Sequence, residues 1–387
     1  MNELISIITP VYNGAKFLKD NIQSWFVQTY PSFELIFIDD GSTDESVKMI
    51  QEYVAKDPRL KLIVRQHGGI SQAIASGLEQ AQSQYVVLMD QDDRASPHRL
   101  METVHAFKNG SELIMSSYEM IDVNGNPIGK KMVLPLHIDE SNILLESLKR
   151  NYFLGSAMAF RYKKDFNLNP ISGGTTDYDI ALKMLMNDYK FTYISSCLIE
   201  YRVHQSNTSA NYTAIRRNAL DVLEQYNELE LYPLLLEKGY GNFDVALTLS
   251  IFSLFKGHLR LAGMYLQEAE KYVDDHVPVH SQLEFAFYQG VYCYKMEKYE
   301  DSFHCFLAAS RIDRLNPAVA NNIGVLESLN GCYDEAEKWF RIASELNNEY
   351  IDAKRNLDLI NSKPVKTVFT ERLLRDTLLH TFNITGI

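Results

Sequence analysis

Cysteine is scarce in this sequence of 387 residues, which contains only four, and none of them lies in a Cys-x-x-Cys pair. A disulfide framework or a zinc site is therefore not expected, and the pattern favours reduced thiols in a cytosolic protein. The chain also lacks an apolar run long enough to span a bilayer. Its first residues have neither the basic region nor the cleavage site of a signal peptide. We therefore expect a cytoplasmic protein without a transmembrane segment.

Positive charge is in short supply as well, since 38 Lys and Arg residues face 50 Asp and Glu residues and the formal net charge is −12. A chain of this charge repels phosphate backbones and anionic membranes, so we expect no nucleic-acid partner. A local basic pocket for one anionic ligand is still compatible with it. With 46% hydrophobic and 23% charged residues the composition is that of a globular protein, and the length predicts two domains.

The first part of the chain alternates between short apolar runs and segments with helical periodicity, which predict strands and helices respectively. Because the predicted strands are apolar throughout, we expect them to be buried on both faces, as in a parallel sheet covered by helices. The predicted strands are 4–9, 33–38, 60–64 and 85–89, and the predicted helices are 15–28, 47–54 and 70–81.

Polar groups follow each of these four strands, at 10–13, 39–42, 65–71 and 90–93. In open α/β sheets ligands bind beyond the carboxyl ends of the strands. The sequence therefore predicts a ligand site at that edge of the sheet.

The motif Asp90-Gln91-Asp92-Asp93 is the strongest chemical signal in the sequence. Three carboxylates within four residues repel one another unless a cation neutralises them. Hard oxygen ligands suit Mg²⁺ or Mn²⁺, which in turn binds a diphosphate. Taken alone, the motif is equally compatible with a solvated turn whose aspartates cap a following helix.

Together with Pro10-Val11-Tyr12-Asn13 and the segment from Ile38 to Asp44, this motif resembles the family 2 glycosyltransferases of the GT-A fold. Segments 155–161 and 201–204 are similar to later motifs of that family, so the resemblance covers roughly residues 3–210. It implies an α/β GT-A domain, which is a Rossmann-like mixed sheet with helices on both faces. It also implies an inverting, metal-dependent transferase with a nucleotide-sugar donor, most commonly a UDP-sugar.

The resemblance implies roles in donor binding for five residues. Pro10 and Tyr12 would form one wall of a nucleoside pocket, since an aromatic ring is a suitable stacking face for a base; plain turn packing is the alternative. Asp40, and with it Asp39, would accept hydrogen bonds from the base or ribose. Arg65 would face the diphosphate or the base, although a surface arginine after a strand is almost as common.

The metal site follows from the same resemblance. Asp92 and Asp93 would hold Mn²⁺ or Mg²⁺ and the ribose and diphosphate of the donor, with Asp90 supporting them. His204 follows a predicted strand, and in related enzymes a histidine at this place reaches the metal or diphosphate; a lone histidine is also commonly structural. A bound divalent ion stabilises negative charge on the leaving nucleoside diphosphate.

Asp177 is the residue that the resemblance implies as the catalytic base, which deprotonates the acceptor. Family members commonly have Glu-Asp at this place, whereas this chain has Thr176-Asp177, so the second acid is retained and the first is lost. That departure puts the local hydrogen bonding in question. The alternative for Asp177 is capping of the helix that follows.

The C-terminal part repeats itself with a period of 34 residues, which is the signature of tetratricopeptide repeats. A poorer copy stands 40 residues ahead, from about 243 to 272, so its first helix or linker is predicted to be longer. The matching pairs are Gly290 with Gly324, Tyr299 with Tyr333, Phe306 with Phe340 and Ala309 with Ala343.

The predicted organisation is a GT-A domain at 1–210, a helical linker at 211–242, tetratricopeptide-like repeats at 243–362 and a capping helix at 363–387. Stacked helix pairs suit extended peptides or another subunit. A peptide or protein acceptor is therefore favoured, with a glycan acceptor as the alternative, and the repeats are also compatible with a homodimer. A third hypothesis is a non-catalytic scaffold whose repeats bind partners.

Overall fold

The chain consists of two compact units, Met1–Gln225 and Tyr226–Ile387. The computed structural model describes residues 3–164, 175–205, 207, 212–274, 276–361 and 366–373. The predicted linker at 211–242 is divided between the units. Helix α7 (Tyr212–Leu223) packs on α6 (Thr176–Met186) of the first unit, whereas α8 (Glu228–Glu237) packs on α9 (Asn242–Lys256) of the second.

Strands and helices alternate in the first half of the first unit, as the apolar periodicity predicts. The strands are β1 (Ile5–Val11), β2 (Phe33–Asp39), β3 (Leu60–Val64), β4 (Tyr85–Leu88), β5 (Arg94–Ala95), β6 (Leu113–Ile121), β7 (Pro127–Met132), β8 (Met158–Arg161) and β9 (Phe191–Arg202). The other helices are α1 (Ala15–Phe26), α2 (Ser46–Val54), α3 (Ile70–Gln80), α4 (Arg99–Lys108) and α5 (Ile143–Lys149), and Gly155–Ala157 forms a 3₁₀ turn.

The nine strands form one mixed sheet in the order β3-β2-β1-β4-β8-β6-β9-β5, with β7 paired to β6. β1 is parallel to β2 and to β4, and β2 is parallel to β3, whereas β4 is antiparallel to β8. Every residue of β1 and β2 is buried, as expected for central strands whose side chains are apolar throughout. The predicted mixed α/β sheet is therefore confirmed.

The second unit consists of helices, and its helix boundaries repeat after 34 residues. α11 (Val279–Lys295) pairs with α12 (Tyr299–Ile312), α13 (Pro317–Leu329) pairs with α14 (Tyr333–Leu346), and α15 (Ile351–Leu359) begins a third unit of the same period. The earlier pair, α9 with α10 (Leu259–Glu270), is separated from α11 by a longer connection than the one that separates α12 from α13.

Glycines allow the two helices of a pair to approach closely. A Cβ atom on Gly290 would lie 2.7 Å from the ring of Phe306, and one on Gly324 would lie 2.7 Å from the ring of Phe340. The same close contact thus recurs in two successive pairs, because glycine and phenylalanine recur together at the same spacing.

A terminal capping helix is predicted at 363–387, and this prediction is wrong for residues 366–373, which are not helical. They form an extended segment bonded to α13 and α15. Residues 374–387 lie outside the described part of the chain. Among the residues that are described, no helix is both long and apolar enough to cross a membrane.

Candidate active site

The strand ends that carry the predicted site residues lie side by side. The register pairs Val11 of β1 with Asp39 of β2, and Asp39 with Val64 of β3. β4 extends the row, since Met89 N–H donates to the carbonyl of Ile8 at 3.0 Å. The residues that follow these strands therefore meet at one edge of the sheet, as predicted.

Asp92 and His204 meet at this edge, and Nε2 of His204 lies 2.8 Å from Oδ2 of Asp92. The end of β9 is held here because Arg202 Nε donates to the carbonyl of Asp92 at 2.8 Å, and Arg202 N–H donates to Asp93 Oδ1 at 2.8 Å. The imidazole also stacks on Phe17, with ring centroids 4.7 Å apart.

This pair of side chains fits a divalent cation that also binds a diphosphate. Among the described residues no group of three or more His, Cys, Asp and Glu side chains forms a protein-only metal site. Mg²⁺ is usually held by one or two carboxylates and completed by substrate phosphates and water. Asp92 and His204, which are both half-buried, provide two such protein ligands.

Asp93 does not join this pair, and the prediction that it holds the metal is corrected by its position. Its side chain is fully buried, and Oδ1 accepts from Arg202 N–H. Burial, and then the charges of Asp92 and Asp90, raise the pKa of Asp93 well above its usual value. The guanidinium of Arg99 is also fully buried, and the charge of Asp93 acts on it. Asp93 therefore belongs to the interior of the fold.

Asp90 and Asp177 flank Gly155. A Cβ atom on Gly155 would lie 3.9 Å both from the Asp90 carboxylate and from Asp177 Cβ. Burial, followed by the charges of Asp92 and Asp177, raises the pKa of Asp90 to about 7. The absence of a side chain at position 155 therefore leaves open space between the two acids.

Asp177 lies in the first turn of α6, where its side chain accepts two main-chain hydrogen bonds. Oδ2 accepts from Gly155 N–H at 3.0 Å and Oδ1 accepts from Tyr178 N–H at 2.7 Å. Burial outweighs these bonds and raises the pKa of Asp177 to about 6. A carboxylate with a pKa near neutrality, held by main-chain donors, has the properties of a general base.

Thr176 stands where related enzymes have glutamate, and its hydroxyl lies 2.6 Å from the Ser71 hydroxyl. This bond joins the first turn of α6 to the first turn of α3. The loss of the first acid is therefore accompanied by a neutral hydrogen bond that holds the N-terminus of α6.

Asp39 is completely buried, and Oδ2 accepts from the N–H groups of Gly41 and Ser42 at 3.2 and 3.1 Å. Among the described residues Oδ1 has no hydrogen-bond partner. A buried carboxylate oxygen without a partner is unfavourable unless a ligand supplies a donor. Asp39 thus fits the donor-binding role that the resemblance implies.

Asp40 organises the loop after β3. It accepts from Arg65 at 2.9 Å and from the N–H groups of Gly68 and Gly69, the latter at 2.7 Å. Arg65 also donates to Gln72 at 2.7 Å. Both residues lie at the predicted edge, with their polar groups bonded to the protein itself.

Tyr12 follows the end of β1 and remains 46% exposed, whereas Pro10 is buried within the strand. The Tyr12 ring stacks on His67, with centroids 4.4 Å apart. Gln91 holds the main chain of Tyr12 by two bonds, since Tyr12 N–H donates to Gln91 Oε1 at 3.0 Å and Gln91 Nε2 donates to the Tyr12 carbonyl at 3.1 Å.

Three residues of this site are missed by sequence reasoning: Gln91, His67 and Arg202. Gln91 occupies the unassigned second position of the acidic motif, and Arg202 immediately precedes the Val203-His204 dipeptide. Their positions within recognised motifs are the available signal. His67 carries no such signal, because its role depends on contacts with Tyr12 and Asp40 that only folding creates.

Comparison with known proteins agrees with this geometry. Residues 6–166 match the family model described as glycosyl transferase family 2. The first unit therefore contains a family 2 glycosyltransferase domain.

Curated relatives show the same similarity. A Bacillus subtilis (strain 168) protein, TuaG, named for teichuronic acid biosynthesis, is 27% identical over 212 residues, which cover 54% of this chain and 82% of TuaG. The Escherichia coli O-antigen biosynthesis glycosyltransferase WbnJ is 28% identical over 218 residues, which cover 55% of this chain and 84% of WbnJ. An uncharacterized Haemophilus influenzae glycosyltransferase is 40% identical over 128 residues, or 32% of this chain, but only 51% of that relative is covered.

Two solved structures are similar over most of the chain. S. aureus TarS 1–349 has a TM-score of 0.48 at 17% identity, covering 90% of this chain and 92% of TarS 1–349. Mannosyltransferase PcManGT from Pyrobaculum calidifontis, in complex with GDP-Man and Mn²⁺, has a TM-score of 0.44 at 18% identity, with coverages of 70% and 76%. Since neither score reaches 0.5, this likeness does not by itself establish a shared fold.

Proposed function

We propose that the first unit is an inverting GT-A glycosyltransferase that moves a sugar from a nucleotide-sugar donor, with UDP as the expected nucleotide, to an acceptor. The observation that carries the proposal is the arrangement of three acids at one sheet edge. The charges of Asp92 and Asp177 both act on Asp90, and Asp92 is paired with His204.

Donor binding is assigned to the neighbouring strand ends. The exposed ring of Tyr12 offers a stacking face for the base, and Asp39 Oδ1 offers an acceptor for a base N–H group. Asp92 and His204 would hold Mn²⁺ or Mg²⁺ against the diphosphate. When bound, such an ion stabilises the negative charge that develops on the leaving nucleoside diphosphate.

Asp177 is assigned the proton transfer. As the acceptor oxygen forms its bond to the anomeric carbon, the bond from that carbon to the diphosphate oxygen breaks and the acceptor proton passes to the Asp177 carboxylate. The raised pKa, about 6, makes this carboxylate a stronger base than an ordinary aspartate while it is still ionised at neutral pH.

Two acceptor classes remain in the proposal. The repeated helix pairs of the second unit support a peptide or protein side chain, because such repeats suit extended peptides. The names of TuaG and WbnJ refer to teichuronic acid and O-antigen biosynthesis and support a glycan instead. A homodimer formed through the repeats is a further proposal for the second unit.

Metal-dependent hydrolysis of UDP-sugars without acceptor tests the proposal against the alternative of a non-catalytic scaffold. We expect turnover with Mn²⁺ or Mg²⁺ that Asp92→Ala abolishes and that Asp334→Ala, an exposed acid of the second unit, leaves unchanged. Absence of both turnover and UDP binding in the wild-type protein would favour the scaffold.

A further inference from the structure

The extended segment 366–373, called the tail below, is held by two asparagines that are 34 residues apart. Asn356 accepts from Val368 N–H at 2.6 Å and donates to the Val368 carbonyl at 2.9 Å. Asn322 accepts from Thr370 N–H at 2.8 Å and donates to the Thr370 carbonyl at 2.9 Å. Equivalent positions of α13 and α15 therefore bind alternate residues of the tail in the same two-bond manner.

Asn321 joins the two pairs. It donates to the Val368 carbonyl at 3.1 Å and accepts from Asn356 Nδ2 at 2.8 Å. These three asparagines are completely buried beneath the tail. Burying three amides is favourable only because the main chain of the tail satisfies them.

Two side chains of the tail have sites of their own. The Phe369 ring stacks on Tyr294 with centroids 3.7 Å apart and an interplanar angle of 6°. The Thr370 hydroxyl donates to Asp352 at 2.9 Å and is also bonded to the Tyr350 hydroxyl. An aromatic residue followed by threonine is thus the pair of side chains that this surface recognises.

The tail crosses the first helix of each pair in reverse order. After Val368 on α15 and Thr370 on α13, Glu371 pairs with Lys295 of α11 at 2.7 Å, and the Arg372 guanidinium lies 3.7 Å from the ring centroid of Phe255 in α9. We name the surface of α9, α11, α13 and α15 beneath residues 366–373 the tail surface.

We propose that the tail surface is a binding site for an extended segment of another polypeptide, with an aromatic residue followed by threonine, and that the tail occupies it as a built-in competitor. The asparagines bind N–H and C=O groups two residues apart, a pattern that an extended chain presents whatever its side chains. A saccharide has no such repeating pair of donor and acceptor. The site is therefore built for polypeptide.

This inference does not depend on the proposed transferase activity, because binding is measured without any sugar donor. It adds a peptide-binding site to the second unit whether the catalytic acceptor is a peptide or a glycan. A failure of sugar transfer and a failure of peptide binding are consequently separate results.

The test uses the full chain and a fluorescein-labelled peptide with the sequence of residues 366–373, Lys-Thr-Val-Phe-Thr-Glu-Arg-Leu. Fluorescence anisotropy compares the wild-type protein with a Phe369→Ala, Thr370→Ala double variant, in which the tail has lost its side-chain contacts. We expect the double variant to bind the peptide at least about tenfold more tightly, because its own tail competes less well. Adding Asn356→Ala should reverse that gain by removing two hydrogen bonds to the peptide.

Peptides with one methylated amide provide a matched control. N-methylation at the position of Val368 or Thr370 removes a donor to an asparagine and should abolish binding, whereas N-methylation at the position of Phe369 spares both donors. Equal effects at all three positions, or no binding by a folded double variant, would overturn the proposal.

Hydrogen exchange on the wild-type full chain supplies a measurement that requires no variant. If the tail leaves its surface without global unfolding, the amides of Val368 and Thr370 exchange faster than the helical amides of α13. Excess unlabelled peptide should speed their exchange further by occupying the vacated surface. Exchange of these amides only at the rate of global unfolding would make the tail a permanent part of the fold and would contradict the proposal.

Discussion

His204 Nε2 lies 2.8 Å from Asp92 Oδ2, although 112 positions separate the two residues in the chain. The contact exists because β9 ends beside the acidic motif, where Arg202 bonds the carbonyl of Asp92. A histidine and a carboxylate that converge in this way form half of a site that a metal-bound diphosphate would complete.

His204→Ala is expected to weaken Mn²⁺ binding in the presence of UDP and to lower kcat for donor hydrolysis by on the order of 100-fold, as for loss of one group that stabilises developing charge. Isothermal titration calorimetry and a hydrolysis assay measure the two effects. The matched control is His98→Ala, because His98 is exposed at the start of α4. Unchanged Mn²⁺ affinity in His204→Ala would remove this residue from the metal site.

Asp177→Asn is expected to retain UDP binding and lose transfer to a hydroxyl acceptor by roughly 10²–10⁴-fold, the usual contribution of a general base. The change is nearly isosteric, and the asparagine oxygen still accepts from a main-chain donor such as Gly155 N–H. Asp334→Asn, which alters another acid in the first turn of a helix, is the control. An equal loss of UDP binding and transfer would contradict the role as base.

The pH dependence of transfer should follow the ionisation of Asp177. The base must be deprotonated, so the rate rises with pH through a pKa of about 6 and levels off above it. At pH 5 the rate should be about one tenth of the plateau, since that fraction of a group with this pKa is ionised. UDP and Mn²⁺ binding, measured over the same pH range, separates Asp177 from groups that act on the donor. A rate that is flat between pH 5 and 7 would exclude the assignment.

Gly14→Ala and Gln91→Ala are expected to act through the same contact. A Cβ atom on Gly14 would lie 2.1 Å from Gln91 Oε1, so the amide must move and release the main chain of Tyr12. Each variant should weaken UDP binding by roughly tenfold, because about 1 kcal/mol is expected for each hydrogen bond lost. The double variant should be no worse than either single one, which a double-mutant cycle measures. Additive losses would show that the two residues act separately.

The order of strands and helices in the first half of the first unit is predictable from the sequence, because alternating apolar runs and amphipathic segments record local periodicity. The strand predicted at 60–64 is observed as Leu60–Val64, and the helix predicted at 70–81 is observed as Ile70–Gln80. The 34-residue repeat likewise predicts the positions of α11 to α14, since it reflects the packing of glycine against phenylalanine.

The details of the site could not be predicted, because they depend on which side chains folding brings together. Asp92 and Asp93 are adjacent and chemically identical, yet Asp92 faces His204 whereas Asp93 is buried against Arg202 N–H. The two-bond contact of Gln91 with Tyr12 joins residues 79 positions apart. No local pattern distinguishes these partners.

The sequence by itself determined the kind of fold, the sheet edge that carries the polar groups, and the acids among which the chemistry lies, because each of these is recorded in local spacing. Only the tertiary structure decided which aspartate faces outward, which groups pair, and that residues 366–373 form an extended segment on the repeats instead of a helix. The physical reason is that hydrogen bonds from Asn322 and Asn356 replace those that a helix would have supplied within the segment.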